Sequence, residues 1–366
     1  MTWDPAGSPA QLFEAARTLD RPRVAQLCDQ LISHVHDVGS VYPTLQVADI
    51  LQALRRKRHF RLLQQVADAF IQTGVDQPVI RRQYAQALID QGTLTAAICV
   101  LEPLTATTAG VDPREHREAV GLLGRAYKQL YVATGAAAGA RRQRFLERAV
   151  RAYQDVYVDS GDLWHGINVV ALLSRAHHDA TPIEGFPRPG DAAEALATRI
   201  LHTVEETGAA ATAWDRATAM EACVALGQPD DALAWLDSYL HTVDADAFEL
   251  ASTLRQLSEV WELSADRDPG ARLLPILQTE LLRRQGGEIE VGAADLEPAA
   301  LDRIGEGTGF EKIFGSERFN SLAWFRDALD RCRAVARIED PYLGGVGTGF
   351  LVRGERSTHH CPTSCS

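Results

Sequence analysis

GLLGRAYKQLYVATGAAAGARRQRFLERAVRAYQDVYVDSGDLWHGINVVALL, from Gly121 to Leu173, is the stretch whose reading decides the fold. It reads as a helix, a linker of small residues at Ala133–Ala140, a second helix, a Gly-containing turn and the start of a third helix. Helical pairs of this kind carry their apolar residues on one side. One pair cannot bury that side alone, so neighbouring pairs must stack on it.

The rest of the chain supplies such neighbours. Towards the N-terminus, residues 8–37 carry two apolar stripes at helical spacing, Leu12, Ala15, Ala16 and Leu19, then Val24, Leu27, Cys28, Leu31 and Val35. Residues 44–73 repeat the theme with Leu45, Ala48, Ile50, Leu51 and Leu54, then Leu62, Leu63, Val66, Ala67 and Phe70. The basic run Arg55–Arg61 lies at their junction and reads as a solvated helix C-terminus, where cations complement the helix dipole. Pro78–Leu104 is a further pair that turns at Gly92. Ala97 is the small residue where its helices cross and Leu101 the large one behind it. After Leu173 comes a Pro/Gly loop, Thr181–Gly190, and a helix over Asp191–Glu206. Ala213–Leu240 turns at Gly227, with Ala232 small and Leu236 large. Asp246–Leu263 and Pro269–Arg284 form the last pair.

Several of these residues share one register. Leu123, Gly124 and Tyr127 resemble the first helix of a tetratricopeptide repeat, and Ala149 and Tyr153 its second; Ala97 and Ala232 occupy the small crossing position. The resemblance implies an all-α, tetratricopeptide-like α-solenoid of helical hairpins over residues 1–284. It implies that the first helix of each pair faces inward, onto a concave surface suited to peptides and partner helices. Exposed partner-binding candidates on those helices are Arg125, Lys128, Gln129, His165, Asn168 and Arg216. The segments LGRAYKQLY, RFLERAVRAYQDVY and LWHGINVVALL are also similar to the helical region next to the TRAF-binding part of apoptosis signal-regulating kinases, a region that bacterial multidomain proteins share. There a YYPGIN motif opens the third helix; here Leu163–Asn168 stands in its place without the proline.

Composition changes after Arg284. A polar, Gly-containing linker covers 285–298, and a helical lead-in covers 299–338, with helices expected at Ala299–Ile304 and from about Asn320 to Val335. Gly and β-branched residues at near-alternating spacing then predict a strand within 339–354. Its core, GGVGTGFLV (Gly344–Val352), resembles the first strand of bacterial trypsin-like serine peptidases, and the segment before it resembles their helical lead-in. Beyond the strand, ERSTHHCPTSCS forms a polar tail over 355–366, in place of the apolar strand that would carry a catalytic His. A Ser-His-Asp triad needs a base, an acid, a Ser and an oxyanion hole, so the chain as it stands lacks that chemistry. The resemblance implies a short C-terminal α/β appendage that is an incomplete peptidase start, cut off after its first strand, with that strand left unpaired.

No cofactor and no metal are expected. His34 and His36 are two apart on a helix and point apart; His177, His178 and Asp179 read as a solvated helix end. His359, His360, Cys361 and Cys365 lie in the polar tail. Gly305, Gly307 and Gly309 read as a turn, since a phosphate cradle needs a strand before it and a helix after it. Cys28, Cys99, Cys223 and Cys332 read as buried thiols on apolar faces. Net charge is −12, from 37 basic and 49 acidic residues, which argues against nucleic acid and anionic membranes as partners. The N-terminus has no basic start with an apolar core, and no apolar run approaches a membrane span, so a cytoplasmic chain is expected. The expected function is a protein-interaction scaffold or sensor arm that controls an attached peptidase. The alternative is a serine endopeptidase whose catalytic residues come from downstream or from another chain.

Overall fold

The structure, a computed structural model, describes residues 3–38, 42–135, 139–242 and 245–284, together with the strands at 312–313, 319–320, 335–340 and 344–350. The chain divides into two units, Met1–Ile289 and Glu290–Ser366.

Among its described residues the first unit holds fourteen α-helices in consecutive pairs. They are α1 (Ser8–Arg17) with α2 (Arg21–Val38), α3 (Thr44–Arg56) with α4 (Phe60–Gln72), and α5 (Pro78–Asp90) with α6 (Leu94–Thr108). Next come α7 (Pro113–Ala133) with α8 (Gly139–Ser160), α9 (Leu163–His178) with α10 (Pro189–Thr207), and α11 (Ala213–Ala225) with α12 (Pro229–Leu240). In the last pair α13 (Ala247–Arg255) continues into a π-turn (Gln256–Val260), and α14 (Gly270–Arg283) comes after it.

The helix ends are written in local chemistry. Prolines sit in the first turns of α5, α7, α10 and α12, where a missing N–H costs nothing. Asp112, Asp162 and Asp246 accept first-turn N–H groups of α7, α9 and α13, and Thr212 with Asp215 forms a capping box on α11. Gly92, at φ 78°, takes the left-handed conformation that closes the α5–α6 turn.

Burial follows the repeat register. Ala97, Ala149 and Ala232 are fully buried at the helix crossings, and Tyr127, Tyr131 and Tyr153 fill the space behind them. Gly124 is small for a reason: a β-carbon there would stand 3.0 to 3.2 Å from the Tyr153 ring. Leu123 packs half-buried at the edge of the same cluster. Helices α1, α3, α5 and α7 touch in turn, as do α9 and α11, and Gly121 of α7 lies against Trp164 and His165 of α9. The first helices of the pairs therefore form a row along the stack, here called the inner row after the register's expectation.

Several expectations are corrected. Leu45 points outward, 83 % exposed, because the buried stripe of α3 runs through Val47, Ile50, Leu51 and Leu54. Cys99 is exposed while Cys28 and Cys223 are buried; the core positions of α6 are Ala97, Leu101 and Leu104, and two residues past Ala97 is the far side of the helix. Arg55 is not solvated: its guanidinium lies 5.1 Å from the Phe248 ring centroid.

The second unit shows two antiparallel hairpins among its described residues: β1 (Lys312–Ile313) with β2 (Phe319–Asn320), and β3 (Val335–Asp340) with β4 (Gly344–Phe350). Strand β4 is therefore not unpaired. Its partner VARIED runs Val335↔Phe350 to Asp340↔Gly344, with an irregularity between Ile338 and Glu339. The expected helix from Asn320 to Val335 begins and ends on strand residues. Ala299–Ile304, the Gly305–Gly309 turn, Cys332 and the tail at 355–366, with His359, His360, Cys361 and Cys365, lie outside the described residues.

Candidate functional site

The inner row carries buried polar side chains. On α7, Arg125 and Lys128 are three apart and share one face. Asn168 of α9 and Glu221 of α11 continue that face across the stack. All four are buried, as is His165, so the expectation that Arg125, Lys128, His165 and Asn168 are exposed is corrected. The covering element is the last pair: α13 and its π-turn lie over the inner row.

The contacts are specific. Lys128 Nζ donates to Asn168 Oδ1 and to Gln256 Oε1, each at 2.6 Å, and sits 5.6 Å from the Tyr153 ring centroid. Gln256 Nε2 donates to Glu221 Oε2 at 3.2 Å, and the Trp261 indole donates to the same oxygen at 2.9 Å. Gln256 thus stands between a buried lysine and a buried glutamate. Asn168 is oriented by its own donation to the Trp164 carbonyl, 2.8 Å. Arg125 pairs with Asp90 of α5 at 2.5 Å, and Arg255 approaches the same carboxylate at 3.5 Å. A cavity of about 40 Å³ remains beside this cluster, with Gln129, Trp164, Trp214 and Glu259 in its wall.

The electrostatics follow from burial. Removal from water pulls the Lys128 ammonium well below its usual range; Glu221 and Glu259 oppose this, while Arg125 and Arg255 reinforce it. Burial likewise pushes the Glu221 carboxyl up, against the Trp261 and Gln256 hydrogen bonds and the Lys128 charge. At the start of α13 the Glu249 carboxyl is pushed up to about 7, first by burial and then by Asp246. Two groups of opposite type are held together by amides, Gln256 between them and Asn168 beside Lys128. The central four, Lys128, Asn168, Gln256 and Glu221, are hydrogen-bonded to one another and latch α7, α9, α11 and the π-turn together, while polar atoms around them, such as Asp90 Oδ2, stay unpartnered.

The other two candidates lie elsewhere in role. His165 Nδ1 sits 2.8 Å from Asp162, and its ring packs on Trp164 and Tyr153, so it belongs to the N-terminus of α9. Arg216 donates to the Ala211 carbonyl at 3.2 Å and to Ser238 of α12, outside the cluster. Gln129 is half-buried at the cavity. Sequence reasoning missed Glu221, Gln256, Arg255 and Asp90. A signal existed for Glu221: it interrupts the small apolar run Ala217–Ala225.

A second cluster joins α9 to the end of the π-turn. Asp179 accepts from Tyr131, Arg142 and Arg175 at 2.6, 2.6 and 2.9 Å. Desolvation works to raise its carboxyl, but these hydrogen bonds together hold it far below the usual range. Arg175 also reaches Glu262 at 2.6 Å. His178, Asp179 and Glu262 are the group among the described residues with ligand atoms close enough for a cation. Arg175 already neutralises both carboxylates there, so a cation would have to displace it.

The comparisons bear on the helices. A family model described as Tetratricopeptide Repeats-Sensor matches residues 55–173. The match covers the helices from the end of α3 into α9 and is what ties this part of the stack to tetratricopeptide repeats. Solved structures with likeness to it include a thermophilic TPR protein of Thermus thermophilus, 16% identical, TM-score 0.42, covering 59% of this chain and 99% of that one. Another is a tetratricopeptide repeat protein of Parabacteroides merdae, 12% identical, TM-score 0.39, covering 74% of this chain and 98% of that one. No curated protein matches. The peptidase and signalling-kinase resemblances stay with the sequence motifs alone. Among the described residues no helix is long and apolar enough to cross a membrane.

Proposed function

We propose that the TPR region is a protein-interaction sensor arm whose inner row takes a protein or peptide partner, and that it acts on an effector joined to its C-terminal side. The observation that carries this reading is the polar inner row: Arg125, Lys128, Gln129 and Asn168 face a cavity rather than a packed apolar core. A stack held together by apolar stripes gains nothing in stability from that arrangement, since buried charges cost desolvation. Recognition of a polar or helical ligand does use it. The word Sensor in the matching family's description agrees with the reading. The effector candidate is a trypsin-like serine peptidase, on the GGVGTGFLV segment whose Gly344–Phe350 part forms β4.

The test is positional. A photo-crosslinking residue at Gln129, on the inner row, should trap a partner that the same group at Val158, on the outer helix α8, does not. Equal trapping from both places would refute inner-face recognition. The effector half is tested by reading the coding locus in all three frames past Arg356. A downstream strand with a His, then Asp and G-D-S-G segments, supports a peptidase; their absence in every frame removes it.

A further inference from the structure

In a helical solenoid each pair touches its neighbours. The last pair breaks that rule. Asp246–Val260 lies beside α11 and α12 in sequence, yet it also reaches helices far earlier in the chain. The Phe248 ring centroid is 6.4 Å from that of Phe60 in α4. Arg255 reaches Asp90 of α5 across 165 positions, and Gln256 reaches Lys128 of α7 across 128. The carbonyls of Glu259 and Val260 accept from Arg175 of α9 at 3.1 and 3.3 Å.

The two faces of this segment differ in kind. Leu250 and Leu257 pack in an ordinary apolar cluster with Leu273 and Leu277 of α14, Leu236 of α12 and Met220 of α11. The face turned to the inner row is polar and imperfectly matched. Arg55 Nε, Asp90 Oδ2 and Glu249 Oε2 are buried there without a hydrogen-bond partner, and the 40 Å³ cavity opens beside Gln256. A π-turn, a form that concentrates at functional positions, ends the segment.

We infer that α13 and its π-turn are an intramolecular occupant of the inner groove, standing where a partner helix binds. The partner chemistry is then legible from the occupant: an amphipathic helix with an aromatic residue followed two turns later by Arg and Gln, as in Phe248, Arg255 and Gln256. Binding of such a helix releases the segment from the inner row while α14 keeps its apolar seam to it. This rests on the reading of the inner row as the recognition face, and the test uses only the chain's own segment, so it stands or falls apart from the crosslinking experiment.

The probe is a fluorescein-labelled synthetic peptide of residues 245–263, titrated into the full chain and into the Phe248→Ser, Arg255→Ser variant. The expected result is at least tenfold tighter binding to the variant, and none by a peptide carrying the same two substitutions. Hydrogen exchange should rise at least tenfold within 246–260 of the variant and stay unchanged in α7–α9. Equal binding to both chains, or binding to neither, overturns the inference. So does faster exchange spreading through α7–α12, which would make the segment a structural helix of the stack.

Discussion

The pair α7–α8 and the pair formed by α13 with α14 are built from the same kind of unit and use it oppositely. In α7–α8 the contacts are local, with an apolar core in which Tyr153 packs on Gly124 and Ala149 is fully buried. Its inner polar residues are left over for something else. In α13 and its π-turn the apolar side packs with α11, α12 and α14, and the polar side reaches across to α5, α7 and α9. The comparison teaches that apolar stripes build the stack, whereas buried amides and ions decide how its inner surface is closed.

Breaking the apolar half should cost most. Tyr153→Ala removes a wholly buried ring and leaves a void beside Gly124. It should lower stability by about 3–5 kcal/mol in urea titrations followed by circular dichroism. A loss below about 1 kcal/mol would mean that the α7–α8 seam is not what holds the middle of the stack.

Breaking the polar half should cost somewhat less and show coupling. Lys128→Met leaves Glu221 buried without its nearby cation, and about 3 kcal/mol is expected. Adding Glu221→Gln should recover roughly half of that loss, because the remaining group is neutral. Strict additivity of the two changes in a double-mutant cycle would separate the two residues into independent sites.

The start of α13 sharpens the comparison through pH. Glu249 has a folded-state value of about 7 against an ordinary 4.5. Below about 4.5 it is neutral folded and unfolded, and contributes no difference. As pH rises from there towards 7 the unfolded chain gives up the proton first, so stability falls through this window and the deficit is complete above it. Glu249→Gln should therefore stabilise the protein at about pH 8 by about 1 kcal/mol, allowing for partial solvent screening, and by nothing at about pH 4. A gain independent of pH in thermal melts would exclude burial of the carboxylate as the cause.

The smallest effect tests the register itself. Cys99 should react with a thiol reagent in the native state, while Cys28 and Cys223, buried and pushed up to about 12, should react only on unfolding. Cys99→Ser should change stability by no more than about 0.5 kcal/mol. Three thiols with equal native reactivity would contradict the placement of the α6 stripe.

The helices were legible because their signals are local. Stripes at helical spacing, Pro in first turns, Asp and Thr caps and Gly92 each act within a few residues, and together they mark the helices of the first unit. The candidate site was only half legible. Arg125, Lys128, Gln129 and Asn168 do lie around one cavity. Their burial was not readable, because it depends on a segment far along the chain, around Gln256, 128 positions from Lys128 and 88 from Asn168. The pairing of β4 was missed for a similar reason: VARIED alternates as a strand does, but a helical expectation reaching to Val335 hid it.

By itself the sequence determined the number and order of helical pairs and which small residues let the pairs cross. These follow from period and residue volume, which neighbours in the chain already contain. Only the tertiary structure decided that the inner face is closed, and by what. Lys128, Gln256 and Glu221 are ordinary polar residues on three separate elements, and a hydrogen bond at 2.6 Å across 128 positions depends on how far each pair is rotated on the last. That rotation is the sum of many packing contacts, and no single stretch of the chain carries it.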